Sequence, residues 1–191
     1  DVSDTAINDE LFVELDSLPS LRTLNIANTA TTLEVVRSFE SSHPSVTIHW
    51  RPPLTSRQKQ CRDTLLKHGF SVYDEYGPLS ILDEHEWMVG LPLKGLPSDA
   101  DWYELSSLDG VLHLHLQGPQ YTIEMLPIFA ALSKLRQVTW EVQAISATEL
   151  RQIASIAHIR WRLIDGQRCY EVRDGKQFRI DERGDSYLLS D

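Results

Sequence analysis

The chain has 191 residues, 41% of them hydrophobic and 24% charged, enough to bury one ordinary core. Lys and Arg number 18 against 28 Asp and Glu, a net charge of −10 that argues against broad binding to nucleic acid or an anionic membrane. No apolar run approaches the roughly 20 residues that span a bilayer. The acidic start DVSDTAINDELF does not read as a signal peptide, and Cys61 and Cys169 form neither a disulfide framework nor a C-x-x-C pair.

In chain order, Asp1 to Thr5 reads as the tail of a strand. Leu15, Leu18, Leu21, Leu24 and Ile26 follow as L-x-x-L-x-x-L-x-x-L-x-I. The step of three suits a helix face, and the final step of two suits a strand. A helix is expected over Thr31 to Ser41, then a strand ending at Ile48 after Val46. The Pro-Pro turn in RPPLTSRQ leads into a helix over Ser56 to His68 and a strand ending at Val72 after Phe70. Asp74 to Trp87, DEYGPLSILDEHEW, has turn chemistry at Gly77-Pro78 and no long helix. The next strand phrase ends at Leu93, after Met88 and Leu91.

The phrase returns clearly as Leu105, Leu108, Val111, Leu114 and Leu116. It returns as Phe129, Leu132, Leu135, Val138 and Trp140, after a helix expected over Tyr121 to Leu132. The last copy is Leu150, Ile153, Ile156, Ile159 and Trp161, with a helix over Ser146 to Ile156 and capping-box spacing between Ser146 and Glu149. The final strand positions 26, 48, 72, 93, 116, 140 and 161 differ by 22, 24, 21, 23, 24 and 21. Strands alternating with helices at this spacing imply parallel pairing, because each return crosses the outside of the sheet.

The phrase Leu-x-x-Leu-x-Leu at this period resembles the leucine-rich repeat, and TAINDELFVELDSLPSLRTLNIANT from Thr5 is especially similar to bacterial repeats of that family. Over residues 1–165 the resemblance implies an α/β solenoid of about eight repeats, parallel strands backed by helices. Where the family places Asn, three residues after the last strand Leu, this chain has Thr29, Arg51, Glu75, Leu96, Pro119, Gln143 and Ile164. Of these, Thr29 and Gln143 can tie neighbouring backbones together. Trp140 and Trp161 replace Leu in the core, so the last repeats must be wider.

Residues 166–191 read as a C-terminal β-hairpin cap and tail of the same domain. In CYEVRDGKQFRI, a two-residue turn pairs Val172 with Gln177 and puts the apolar pairs Tyr170/Val172 and Phe178/Ile180 on opposite faces. A three-residue loop, Asp174-Gly175-Lys176, pairs Val172 with Phe178 and Tyr170 with Ile180. The second register is expected, because a slip by one turns an apolar face into water. The missing N-terminal cap and the absent initial Met point to a native chain that extends upstream, and the cysteine usage points to a reducing compartment such as the cytoplasm.

The resemblance places binding on the concave strand face, whose rows at the C-terminal end align His113, Gln137 and His158, then His115, Thr139 and Arg160, then Gln117, Glu141 and Arg162. The expected function is non-enzymatic recognition of a protein partner by His113, His115, Gln137, Glu141, His158, Arg160 and Arg162, with no cofactor. An acidic patch on the partner suits Arg160 and Arg162, since guanidinium grips carboxylates bidentately. The alternatives are a structural spacer in a larger repeat protein, or a metal held by His113-x-His115 with Glu141 as third ligand. His158, two strands away at roughly 10 Å, is too far to be a ligand. An enzyme is not expected: G-x-S-x-G, phosphate-loop, H-E-x-x-H and Rossmann patterns are absent, and Cys61 falls in an outer helix. The acids Asp74, Glu75, Asp83, Glu84 and Glu86 lack calcium-loop spacing, and Trp50, Trp87 and Trp102 read as core or rim packing.

Overall fold

Helices form where an apolar three-to-four step can face a core, and some of them begin at a side-chain cap. The computed structural model describes residues 1–15, 17–74, 80–81 (backbone only), 85–166, 168–181 and 183–189. Its helices are α1 Leu11–Leu15, α2 Leu33–Ser42, α3 Ser56–Lys67, α4 Asp99–Ser107, α5 Leu126–Ala131 and α6 Ala147–Ala154. α2 buries Val36 and Phe39. At the start of α6, Ser146 Oγ accepts from Glu149 N–H (3.2 Å) and Glu149 Oε2 accepts from Ser146 N–H (2.7 Å), the reciprocal cap expected from the spacing. α4 has the same device in Ser98 and Asp101, which the S-x-x-E/Q pattern passes over because its acid is the shorter Asp. The expected helix over Tyr121 to Leu132 is instead a 3-10 turn, Ile123–Met125, followed by α5 with Pro in its first turn.

The strands are β1 Thr23–Asn25, β2 Thr47–Trp50, β3 Ser71–Asp74, β4 Ser80–Ile81, β5 Glu86–Gly90 and β6 Val111–Gln117. They continue as β7 Leu135–Val142, β8 Arg160–Asp165, β9 Arg168–Arg173, β10 Lys176–Ile180 and β11 Ser186–Leu188. The chain packs as two units, Asp1–Lys59 with Asp74–Glu86, and Gln60–Tyr73 with Trp87–Asp191.

The first unit holds a parallel sheet in the order β1-β2-β4. Val2 and Asp4 add backbone bonds of 2.9 Å to Asn25 O and Ala27 O, so the segment before α1 lines up beside β1. Phe12, Leu15, Ile26, Val36, Phe39, Ile48 and Trp50 form the core, with the Phe12 and Phe39 rings 5.1 Å apart. The indole N–H of Trp50 donates to Thr31 Oγ1 at 2.9 Å, which satisfies a buried donor. Thr29 does not tie neighbouring backbones: its hydroxyl bonds Ile26 O at 2.7 Å, inside its own turn.

The second unit holds an eight-stranded sheet among the described residues, in the order β11-β10-β9-β8-β7-β6-β5-β3. This overturns the parallel-strand solenoid. A continuous stack would seat β3 beside β2, but β2 pairs with β4, and β3 forms an edge of the other sheet. In the registers defined across the larger sheet, β8–β9, β9–β10 and β10–β11 are antiparallel, while β6–β7 and β7–β8 are parallel. The reason is connection length. β9 begins three residues after β8 ends, too short for the crossover that a parallel neighbour needs.

The hairpin takes the register that was not expected, with Val172 opposite Gln177 and Phe178 opposite Glu171. Asp174 and Gly175 both have positive φ, 51° and 71°, which is the type I′ geometry of a two-residue Asp-Gly turn. Val172 therefore enters the core, and Phe178 and Ile180 lie on the opposite face of the sheet. The frame of β5 also differs: Trp87, Val89 and Leu91 are buried, whereas Leu93 is 66% exposed.

Candidate functional site

Period-two alternation builds the candidate face. β6 buries Leu112, Leu114 and Leu116; β7 buries Leu135, Val138 and Trp140; β8 buries Trp161 and Leu163. The alternate residues turn away from that core. Register aligns His113 with Gln137 and Arg160, and His115 with Thr139 and Arg162. Gln117 aligns with Glu141 and Ile164. The expected alignment is correct from β6 to β7 and two residues out at β8. Trp161 lies beside Val138, and Trp140 beside Leu163, so each indole has a smaller neighbour in register. His158 is thereby excluded from the face. It is exposed in the turn before β8, while the other six expected residues belong to the rows.

The rows continue through the antiparallel strands. Arg162 aligns with Glu171, then Phe178, then Leu188, and Ile164 aligns with Cys169, then Ile180, then Ser186. Polar and charged groups fill most of the β6–β8 half of the face, and the half toward β11 sets Phe178, Ile180 and Leu188 among Glu171, Arg173 and Lys176.

Glu171 joins the two halves and was not singled out from the sequence. Its residue is 5% exposed, with Oε2 accepting from Arg160 Nη2 at 3.0 Å. Oε1 lies 3.2 Å from Arg173 Nη1, an ion pair outside hydrogen-bond geometry. The Arg173 guanidinium stands 4.7 Å from the Phe178 ring centroid, a cation–π arrangement. The guanidinium of Arg162, exposed beside them, makes no hydrogen bond or ion pair among the described residues. His115 Nε2 is 3.3 Å from Glu141 Oε1, with both side chains about two-fifths exposed. The sequence signal for Glu171 is alternation: it stands between Tyr170 and Val172, and burial of Val172 turns it to the opposite face, beside Arg162.

Among the described residues, no group of three or more His, Cys, Asp or Glu side chains is arranged to hold a metal, so His113, His115 and Glu141 do not assemble the alternative metal site. Of the acids between 74 and 86, Glu75, Asp83 and Glu84 lie outside the described residues, as does the Gly77-Pro78 turn. Cys61 is buried and Cys169 half-buried, both as free thiols. A cleft of about 510 Å³ opens at the carboxyl ends of β6, β7 and β8, walled by Tyr121, Trp140, Ile145 and Ile164 with Glu141 and Glu149. A second of about 310 Å³ extends the open face over β3 and β5, between Tyr73, Met88 and His115.

Away from the face, Asp101 Oδ1 meets His68 Nδ1 at 2.5 Å while Oδ2 receives the Ser98 cap bonds. Burial raises the Asp101 pKa, but the bonds from His68 and Ser98 outweigh it and hold the carboxyl below its ordinary 3.8. A depressed carboxylate stabilises the fold above its unfolded pKa and loses that contribution as pH falls through the folded value. Wild type should therefore exceed Asp101→Asn in stability above pH 3.8, with the gap closing below it. Urea unfolding of both proteins across that range checks this, and a gap independent of pH would contradict it.

These features define a mixed α/β protein with a long sheet that keeps one face open, rather than a repeat stack. No family model matches the chain, and no curated protein or solved structure matches it. Among the described residues, no helix is long and apolar enough to cross a membrane.

Proposed function

We propose that this chain recognises a partner protein through the open face of its eight-stranded sheet and does so without catalysis. The observation that carries the reading is the row Thr139, Arg162, Glu171, Phe178, Leu188, in which an unpaired guanidinium stands beside a graded apolar surface. Leu188 is 62% exposed. Arg and aromatic anchors flanked by polar donors are the usual makeup of a protein interface. The side chains brought together are guanidiniums, imidazoles, carboxylates and apolar groups, a mixture that offers a partner both directional contacts and surface to bury.

The test is capture from a lysate of the cells that make the protein, with wild type beside a His115→Ala, Arg162→Ala double variant. Both side chains are at least part exposed, so the variant should melt as wild type does. Proteins held by wild type and lost from the variant support the face. Identical retention on both would remove it as the binding site.

A further inference from the structure

We propose that the partner presents an acidic segment with an apolar edge, its carboxylates meeting Arg162 and its apolar side chains covering Phe178, Ile180 and Leu188. This rests on the open-face reading above and names the chemistry of what docks there.

The molecule carries its own example of the interaction. Glu171 is a carboxylate taken from water and gripped by Arg160 at 3.0 Å and Arg173 at 3.2 Å. Arg162 is the lateral neighbour of Glu171 and is left out of that grip. Guanidinium presents a planar fork that fits a carboxylate bidentately, so Arg162 is equipped for a second carboxylate arriving from outside. The locally basic character stands out on a chain of net charge −10, and it gives an acidic segment both attraction and register.

Geometry sets the rest. Arg162 and Leu188 are three strands apart in one row, roughly 14 Å at the usual strand spacing. One short segment lying across the strands reaches both. Leu188 at 62% exposure and the half-buried Phe178 and Ile180 form a surface that burial would stabilise. A polyphosphate would leave that apolar half wet and would meet the repulsion of the whole chain. A segment with alternating acidic and apolar character satisfies both halves.

The experiment titrates the isotope-labelled chain with four probes: an amphipathic Leu/Glu peptide, its Leu/Lys counterpart, a Ser/Glu peptide and a single-stranded oligonucleotide. The NMR shifts of Thr139, beside Arg162, and of Phe178, inside the apolar part of the contact, are the readout. The Leu/Glu peptide should move both signals and bind best. Arg162→Glu should weaken it about tenfold or more, and Leu188→Ser should weaken it too, each at unchanged melting temperature. Equal binding of the Leu/Lys peptide, or preference for the oligonucleotide, overturns the acidic segment while leaving the face in use. Shifts at neither residue with any probe also overturn it, and the lysate capture then decides separately whether the face binds anything.

Discussion

Asp74→Asn should lower the free energy of unfolding by about 3–5 kcal/mol, among the larger losses available to a single substitution in this chain. Asp74 is a counterion of Arg51: Nη1 lies 2.8 Å from Oδ1 and also donates to the Asp74 carbonyl at 2.9 Å. His85 Nδ1 approaches Oδ2 at 3.0 Å. The side chains of Arg51, Asp74 and His85 are 5%, 9% and 5% exposed, so little water is at hand to take over when the carboxylate charge is removed. The substitution weakens at once the ion pair with Arg51 and the contact with His85, both held out of water. Arg62 and Asp63 supply the control. They form a 3.3 Å pair with side chains 36% and 56% exposed, where solvent screens the charges. Asp63→Asn should cost less than about 1 kcal/mol. Urea unfolding of the two variants beside wild type decides the matter, and a loss at Asp74 no larger than at Asp63 would show that the buried pair does not hold the first unit together.

The same residues show how far the sequence could be read. Arg51 stands where the resembled family has Asn, and Asp74 opens a run of acids without metal spacing. Nothing local announces that the two, 23 positions apart, are partners. What is local was legible. The three-to-four step places α2, α3 and α6, and the Ser146–Glu149 spacing gives a cap that the structure contains. Period-two alternation separates Leu112, Leu114 and Leu116 from His113 and His115. Pairing was not legible to the same depth. A spacing of 21 to 24 residues is what one strand, one helix and two turns consume, whichever strand the next one pairs with. It is therefore compatible with β3 leaving the β1-β2 sheet and with β9 folding straight back on β8. Register failed where volume and turn type outweighed periodicity, at the staggered tryptophans and at the Asp174-Gly175 turn. The first difference takes His158 off the candidate face, and the second sets Phe178 rather than Arg179 opposite Glu171.

Trp161→Ala is expected to cost the second unit about 3–5 kcal/mol, the range for removing a large aromatic side chain from a packed core. Trp161 is fully buried, meets the Phe129 ring edge-on at 5.9 Å and 66°, and lies in register between Val138 of β7 and Val172 of β9. It therefore fills the space where the parallel half of the sheet passes into the antiparallel half. Its indole N–H has no hydrogen-bond partner among the described residues, so part of what the side chain contributes by packing is offset by a desolvated donor. Trp161→Phe removes that donor with a smaller loss of volume and should be clearly milder than Trp161→Ala. The neighbours of Trp161 along the chain are Arg160 and Arg162, which point to the opposite face because alternation leaves them no other course. Burial of this indole thus fixes which way both guanidiniums project. Urea unfolding and Leu/Glu peptide titration of the two variants should consequently fall together, with Trp161→Phe near wild type in both and Trp161→Ala depressed in both. A Trp161→Ala protein that loses under about 1 kcal/mol would mean that the core does not depend on this side chain, and the orientation of Arg162 would need another cause.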